Sequence, residues 1–225
     1  MTVAIVRFGG SNCDRDVHQA LASLDIDAEI VWHRDGLPTE LDGIILPGGF
    51  SYGDYLRAGA MAANAPVMDA VTEAAADGVP LLGICNGAQI GAEAGLVAGA
   101  FTVNDTTRFR CDHVHVRVEN ADTPFTRAYE EGEVLELPIA HGEGRFEAAD
   151  ETLAELQAEN RILFRYCEPD GTVSAAANPN GSKDNVAGLL GARDTTAVVM
   201  PHPERASLPD LGLTDGRGIL AGFHP

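Results

Sequence analysis

An apolar run leads directly into a helical pattern around Cys85, and this junction constrains the fold more than any other feature. Pro80–Ile84 has the composition of a buried strand, and Asn86–Gly95 follows at once as a predicted helix. So sharp a turn crowds the backbone, and small residues accordingly flank Cys85 in the sequence G-I-C-N-G-A-Q. The junction is typical of a nucleophile elbow in a parallel α/β sheet.

The first half of the chain repeats this alternation of strand and helix. The predicted strands are Val3–Phe8, Ala28–Trp32 and Gly43–Leu46, and the predicted helices are Asp14–Leu24 and Pro66–Asp77. Such an alternation predicts a parallel sheet with helices on both of its faces.

The second half of the chain changes character. Asp112–Glu119 alternates polar and apolar residues, which predicts a half-exposed antiparallel strand. The other predicted elements are strands at Val134–Ile139, Ile162–Tyr166, Val186–Leu190 and Thr196–Met200, helices at Glu151–Asn160 and Gly216–Phe223, and a loop at Gly171–Ser182. We therefore expect one α/β domain over residues 1–225, with a mostly parallel central sheet and antiparallel additions.

The charge of the chain argues against several classes of partner. It has 15 basic and 34 acidic residues, a net charge of −19, and Lys183 is its only lysine. This charge opposes binding to nucleic acid or to an anionic membrane surface. The composition fits a solvated acidic surface, and we hypothesise an adaptation to a salt-rich cytoplasm, where ions screen the self-repulsion.

The four cysteines, Cys13, Cys85, Cys111 and Cys167, show no C-x-x-C spacing of a metal or redox motif. A chain with this much apolar core needs no disulfide framework, so we expect reduced thiols, no metal and a cytoplasmic location. The N-terminal sequence has no signal-peptide pattern, and no apolar stretch approaches the length that spans a bilayer.

Cys85 is the candidate nucleophile, and a nucleophilic thiol needs a base and a group that orients the base. The predicted helix N-terminus favours the reactive thiolate, although a free cysteine is more often buried and inert. His202 and Glu204 lie two residues apart in M-P-H-P-E-R, so an extended backbone places their side chains on one side. On its own, this segment also fits a proline-rich turn with a surface histidine.

Two further segments carry glycines that let backbone approach a substrate. His141 lies in A-H-G-E-G-R-F and competes with His202 as the base, although it could instead line the pocket. Leu46–Gly59 follows a strand, and its paired glycines can turn N–H groups toward a developing oxyanion at the carboxyl edge of the sheet. The same glycines also fit an ordinary turn.

Together these segments resemble the class I, or triad, glutamine amidotransferases, whose fold is flavodoxin-like. The family pattern P-G-G, G-x-C-x-G-x-Q and H-x-E is matched at Pro47–Gly49, Gly83–Gln89 and His202–Glu204. A narrower resemblance, to the glutaminase subunits of phosphoribosylformylglycinamidine synthase, rests on F-S-Y-G-D-Y-L-R-A-G, A-H-G-E-G-R-F and H-P-E-R. The resemblance extends from the first strand to about Arg205, and the residues that follow match less clearly.

The resemblance implies a role for each matched residue. Cys85 would be the nucleophile, His202 the general base and acid, and Glu204 the group that orients His202. The other implied residues are Gly49 and Asn86, whose backbone N–H groups would form the oxyanion hole, and Gln89, Phe50, His141 and Gly142, which would contact the glutamine substrate.

The resemblance also implies partners. Ammonia cut from glutamine would pass to a large synthetase subunit, which uses ATP and Mg to convert formylglycinamide ribonucleotide to its amidine in purine biosynthesis, and a small subunit would bridge the two. This chain lacks a G-x-x-x-x-G-K-[ST] loop, so we expect no cofactor in it. We expect the synthetase to dock around Tyr52–Arg57 and His141–Arg145, and the isolated chain to be a poor glutaminase.

Two alternatives remain open at the level of sequence. One is a cysteine hydrolase of the same fold, such as a γ-glutamyl hydrolase or a peptidase, which would not need F-S-Y-G-D-Y-L-R-A-G or A-H-G-E-G-R-F. The other is a non-catalytic redox sensor or regulatory subunit, which would not need Cys85, His202 and Glu204 together.

Overall fold

The computed structural model describes residues 2–224 and is built around a nine-stranded sheet with the order β2-β1-β3-β4-β11-β10-β9-β6-β7. The strands are β1 Val3–Arg7, β2 Ala28–Trp32, β3 Gly43–Leu46, β4 Leu81–Ile84, β5 Ala100–Thr102, β6 Arg110–Val118, β7 Val134–His141, β8 Arg145–Glu147, β9 Ile162–Cys167, β10 Val186–Leu190 and β11 Thr196–Val199. Strands β5 and β8 pair separately in a small antiparallel sheet.

The first half of the sheet is parallel, as the sequence predicts. Neighbouring strands from β2 through β1, β3 and β4 to β11 all pair in parallel, and the remaining pairs are antiparallel. All nine strands except β10 and β6 therefore run in one direction, so the mostly parallel sheet with antiparallel additions is confirmed. The carboxyl ends of β1, β3, β4 and β11 meet at one edge, where α/β sheets place their sites.

Helices cover both faces of the sheet. They are α1 Asp14–Ala22, α2 Ala60–Ala63, α3 Val67–Asp77, α4 Asn86–Glu93, α5 Asp150–Ala158 and α6 Arg217–Leu220. Side chains alternate across a strand, so Ile5 of β1 packs with Leu21 of α1 on one face, while Val6 packs with Val71 of α3 on the other. No helix within residues 2–224 is long and apolar enough to cross a membrane.

The strands β6 and β7 form a hairpin that extends beyond the rest of the sheet. They pair from Arg110 to Arg117, whereas β6 pairs with its other neighbour β9 only over His115–Val118. The first residues of β6 are consequently exposed, and alternating burial begins at Val114. The projecting end of the hairpin brings His141, at the end of β7, beside the elements that carry Cys85.

Candidate functional site

The strand-to-helix turn at Cys85 has the strained backbone of a nucleophile elbow. Cys85 has φ 51° and ψ −104°, a positive φ that is rare for a residue with a side chain. The Cys85 amide donates a hydrogen bond to the Val199 carbonyl oxygen at 2.8 Å, which holds the turn against β11. Strain of this kind persists only where the surrounding structure enforces it, and it is concentrated at functional sites.

The glycines around Cys85 are explained by close backbone approach. A Cβ added to Gly83 would lie 2.6 Å from the Gly87 carbonyl oxygen, and one added to Gly87 would overlap the Leu46 carbonyl. Strand β3, strand β4 and helix α4 can therefore meet only if both positions lack a side chain. The small residues of G-I-C-N-G thus have the structural cause that the sequence predicts.

His202 and Glu204 form a buried pair at the end of β11. Their Nδ1 and Oε1 atoms are 2.6 Å apart, and each residue is only 1% exposed. The backbone turns at Pro203–Ala206, and the His202 amide donates to the Pro138 carbonyl oxygen of β7 at 2.8 Å. This geometry excludes the surface-histidine alternative.

The charge of Glu204 sets the protonation of His202. Burial disfavours the charged imidazole, but the Glu204 carboxylate, followed by the Cys85 and Cys13 thiols, outweighs burial and raises the pKa of His202 well above its ordinary value. His202 interacts with the Cys85 side chain as well as with Glu204, so the structure brings all three predicted residues together.

Cys13, which the sequence analysis did not single out, is a second thiol beside His202. It is 2% exposed, its Sγ lies 3.2 Å from Nη2 of Arg205, and its side chain interacts with His202. Burial raises the pKa of the Cys13 thiol, so it is held neutral more strongly than an exposed cysteine. The two residues are distant in sequence, and no local motif around Cys13 signals this contact.

Cys85 lines a pocket of about 180 Å³ between the Gly49 loop, helix α4 and the end of the β6–β7 hairpin. All four residues expected to contact substrate line it together with Cys85, namely Gln89, Phe50, His141 and Gly142. The rings of Phe50 and Phe109 lie 6.3 Å apart and are 44% and 52% exposed, so they form a half-open apolar entrance. The sequence did not predict Phe109 or Asp54 in this lining.

His141 is buried and enclosed by amide side chains. Its Nδ1 lies 3.1 Å from Oδ1 of Asn104, and its Nε2 lies 3.5 Å from Nδ2 of Asn180. Burial, and to a lesser extent the charge on His202, lowers the pKa of His141 to about 4. At neutral pH His141 is therefore uncharged, and the base role favours His202.

Gln89 links helix α4 to two neighbouring loops. Its Nε2 donates to the Glu143 carbonyl oxygen at 2.8 Å, and its Oε1 accepts from Asn86 Nδ2 at 2.8 Å. Asn86 in turn accepts a hydrogen bond from the Ser51 amide at 3.1 Å. These bonds fix both loops relative to Cys85, so the structure gives Gln89 an anchoring function in addition to its place in the pocket.

Asp54 is the least satisfied group of the pocket. Its Oδ1 is buried and has no hydrogen-bond partner among residues 2–224. Burial, reinforced by the nearby Glu143 carboxylate, raises the pKa of Asp54 to about 6. Its backbone is also left-handed, with φ 54°, as are Tyr52 and Leu56 in the same loop. A half-buried carboxylate whose inner oxygen has no partner points to a cationic group of a ligand.

The two backbone segments expected to form an oxyanion hole flank Cys85. Gly49 lines the pocket with φ 138°, and a Cβ there would lie 2.7 Å from the Asn12 amide nitrogen, so only glycine fits. Asn86 is the first residue of α4, and the first N–H groups of a helix have no partner within the helix. Both segments are thus positioned to offer N–H groups to a bound oxyanion.

Comparisons with known proteins identify the family to which the chain belongs. Residues 1–210 match the family of CobB/CobQ-like glutamine amidotransferase domains. The chain is 70% identical to phosphoribosylformylglycinamidine synthase subunit PurQ of Natronomonas pharaonis over 100% of both chains, and 53% identical to that subunit of Methanosarcina acetivorans over 98% of this chain and 95% of the other. A solved structure of PurLQS from Thermotoga maritima superposes with a TM-score of 0.87 and 40% identity, covering 99% of this chain and 96% of that one. The chain therefore belongs to the CobB/CobQ-like glutamine amidotransferase family, in its group of PurQ subunits of phosphoribosylformylglycinamidine synthase.

Proposed function

We propose that this chain is the glutaminase subunit of phosphoribosylformylglycinamidine synthase and that Cys85, His202 and Glu204 cut ammonia from glutamine. The observation that carries the proposal is the strained elbow cysteine that interacts with a buried histidine, which a carboxylate holds at 2.6 Å. A nucleophile, its base and an orienting group are the minimum for thiol catalysis.

The reaction begins when His202 takes the Cys85 proton and the thiolate attacks the side-chain carboxamide carbon of glutamine. The carbonyl oxygen becomes an oxyanion, which the N–H groups of Gly49 and Asn86 stabilise. A donor of this kind contributes about 3–4 kcal/mol to the transition state in comparable sites. The elevated pKa of His202 makes the imidazole a strong enough base for the first transfer.

His202 then returns its proton to the departing nitrogen, so the carbon–nitrogen bond breaks and ammonia leaves. A glutamyl thioester remains on Cys85. His202 next removes a proton from water, whose oxygen attacks the thioester carbon, and glutamate is released as the thiol is restored. Glu204 keeps the same imidazole tautomer throughout and stabilises each imidazolium.

Asp54 gives the pocket its specificity for an amino acid in this proposal. The α-ammonium of glutamine supplies the cation that the buried, unpartnered Oδ1 lacks. Asp54 and Cys85 line the same pocket, so a glutamine bound with its carboxamide at the thiol can place its other end toward Asp54.

The partners follow from the relatives rather than from this chain alone. We propose that the ammonia passes to a PurL-type synthetase subunit, assembled with a PurS-type bridging subunit, which holds ATP and Mg and forms the amidine in purine biosynthesis. The name PurLQS describes such an assembly in the 40%-identical structure. The four free cysteines support a reducing compartment, and we place the chain in the cytoplasm.

We further propose that the synthetase docks over the pocket entrance. Apolar side chains are exposed there: Leu56 is 93% and Tyr55 is 74% exposed, beside the half-open Phe50–Phe109 pair. Docking here would enclose the ammonia as it leaves Cys85. The partner would also contact the left-handed loop that carries Asp54 and hold it in the conformation that binds glutamine. Without that contact, the isolated chain would have a low activity.

The test is amidine synthesis by the reconstituted complex with either glutamine or ammonium salt as the nitrogen source. The Cys85→Ala variant is expected to lose glutamine-dependent synthesis and to keep ammonium-dependent synthesis, because only the glutaminase step needs the thiol. A variant that still uses glutamine, or a complex that prefers γ-glutamyl peptides to glutamine, would contradict the proposal.

A further inference from the structure

Cys13 is a buried thiol at the centre of the site for which the proposed reaction has no use. It follows the loop after β1 and contacts Asn12, with Sγ 3.3 Å from Oδ1, and Arg205, with Sγ 3.2 Å from Nη2. Its side chain also interacts with the His202 imidazole, on which Cys85 and Glu204 converge as well. The imidazole therefore interacts with two thiols, of which the mechanism uses one.

The donor atoms around Cys13 match a metal site. One ligand atom each from Cys13, His202 and Glu204 can be chosen so that all three lie within 4.8 Å of one another, and all three residues are buried. Thiolate, imidazole and carboxylate are the ligands of zinc in proteins, with bonds of about 2.0–2.3 Å. The ligand atoms of a tetrahedral ion lie about 3.3–3.8 Å apart. Donor atoms separated by 4.8 Å therefore need to approach one another by only about 1 Å to bind the ion.

A further observation favours a ligand at this position. Glu204 Oε2 is buried and has no hydrogen-bond partner among residues 2–224, and Glu204 is 99% buried. A Cβ on Gly48 would lie 2.9 Å from His202 Cε1 and 3.1 Å from Cys13 Sγ, so the Gly48 backbone packs closely against two of the donor side chains and holds them in place.

We infer that Cys13, His202 and Glu204 bind a thiophilic divalent cation, with zinc as the representative ion, and that the bound ion inhibits the glutaminase. On binding, the Cys13 thiol and the His202 imidazolium each release one proton to solvent, and the sulfur, a ring nitrogen and a carboxylate oxygen each donate an electron pair to the ion. No electron is transferred. With a ring nitrogen and Glu204 committed to the ion, His202 can no longer shuttle protons. The inhibition rests on the proposed function, but the metal binding does not.

The ion has a route to these ligands. A cavity of about 570 Å³, separate from the pocket that Cys85 lines, is bounded by Glu204, Arg205, Asp16 and the β6–β7 hairpin. Arg205 lines this cavity and contacts Cys13, and its Nε is 3.4 Å from Asp16 Oδ2. Since its guanidinium contacts Cys13 Sγ, it competes with the cation. Arg205→Gln is therefore expected to tighten metal binding.

The decisive experiment is a titration of the full chain with Co²⁺, which reports thiolate ligation through a charge-transfer absorption band. Wild type and Cys85→Ser are expected to bind one ion per chain with this band, and Cys13→Ala is expected to lose it. Cys111→Ser controls for the exposed thiol and should behave as wild type. Circular dichroism confirms folding, and Cys13→Ser replaces Cys13→Ala if the alanine variant is unfolded.

The inference is overturned if the wild-type chain shows no thiolate band, or if Cys13→Ala keeps the band while Cys85→Ser loses it. In the assembled complex, zinc should inhibit glutamine-dependent synthesis, and Cys13→Ala should weaken that inhibition at least about tenfold, with each variant compared to its own zinc-free activity. Equal inhibition of both proteins would also overturn it. The cobalt band does not depend on glutamine turnover. Metal binding can therefore be confirmed or contradicted whether or not the proposed glutaminase function holds.

Discussion

At the residue scale, burial determines what each ionisable group of the site can do. His141 and His202 lie near one another, yet burial lowers the pKa of one, and the Glu204 carboxylate raises the pKa of the other. The carboxylate therefore distinguishes a structural histidine from a proton carrier. Both histidines are candidate bases in the sequence, and only their packing in the fold shows which of them carries protons.

Replacing Glu204 by glutamine tests this distinction. Glu204→Gln keeps the size of the side chain but removes the charge that raises the pKa of His202, so the imidazole loses its orientation and basicity. We expect kcat for glutamine hydrolysis to fall by roughly 10²–10⁴-fold. Steady-state kinetics should show no such loss for Glu29→Gln, an exposed position on β2. A Glu204→Gln enzyme within tenfold of wild type would contradict the assigned role.

Asp54 should control the affinity for glutamine and its pH dependence. Asp54→Asn removes the charge proposed to bind the α-ammonium, and we expect KM to rise by about 10- to 100-fold with little change in kcat. Because the pKa of Asp54 is about 6, the carboxylate is charged above that pH and neutral below it. The wild-type KM should therefore rise as the pH falls below about 6.

The matched control for Asp54 is Asp27→Asn, an exposed residue before β2. Its KM and pH profile should follow those of wild type. An Asp54→Asn enzyme with an unchanged KM, or one that keeps the acid-side rise in KM, would show that Asp54 does not contact the substrate.

At the element scale, the residues of the site follow the carboxyl ends of four parallel strands. The carboxyl ends of β1, β3, β4 and β11 lead to Cys13, Gly49, Cys85 and His202 respectively. This convergence was predictable from the strand–turn–helix junction at Cys85 and the paired glycines after β3. The predicted order of the main strands and helices is confirmed, and their ends shift by at most three residues.

The elements that the sequence did not predict are short or depend on distant contacts. Strands β5 and β8 have three residues each, too few for a periodic pattern, and α2 is a four-residue helix. Cys13 meets His202 only because β1 and β11 end at the same edge, and Asp54 enters the pocket through a run of left-handed residues. Local spacing carries no information about either contact.

The close approach of α4 to β3 gives a stability prediction. Gly87→Ala places a methyl group on the Leu46 carbonyl, so the helix must shift away from the sheet. We expect the free energy of unfolding to fall by about 1–3 kcal/mol or more, measured by urea denaturation. Gly9→Ala is the control, because its nearest atom would be Tyr52 Cε1 at 4.0 Å, an ordinary contact. Equal stability of the two variants would contradict this packing argument.

At the scale of the whole molecule, one face combines the pocket entrance with exposed apolar side chains. The chain has a net charge of −19, and an exposed apolar patch on such an acidic surface needs a functional explanation. Leu56 is almost fully exposed near the pocket entrance. Exposed apolar residues around a functional opening mark a protein interface. The sequence-based expectation of docking around Tyr52–Arg57 stays a prediction, and the exposure of Leu56 supports it.

Leu56→Asp should weaken assembly with the synthetase. The substitution places a charge in the expected interface, so we expect the Kd to rise at least about tenfold, measured by calorimetry or sedimentation. Leu211→Asp is the matched control, an exposed leucine beside the other cavity. If Leu211→Asp disrupts assembly and Leu56→Asp does not, the docking face lies on the side of that cavity.

The most direct test of the central claim is mass spectrometry of the intact chain after exposure to a diazo-ketone analogue of glutamine, followed by peptide mapping. A single adduct on Cys85, blocked by excess glutamine and absent from Cys13, is the expected result, and it would establish the nucleophile and the substrate together. An unmodified Cys85, with the synthetase partner also present, would contradict the assignment of this site as a glutaminase.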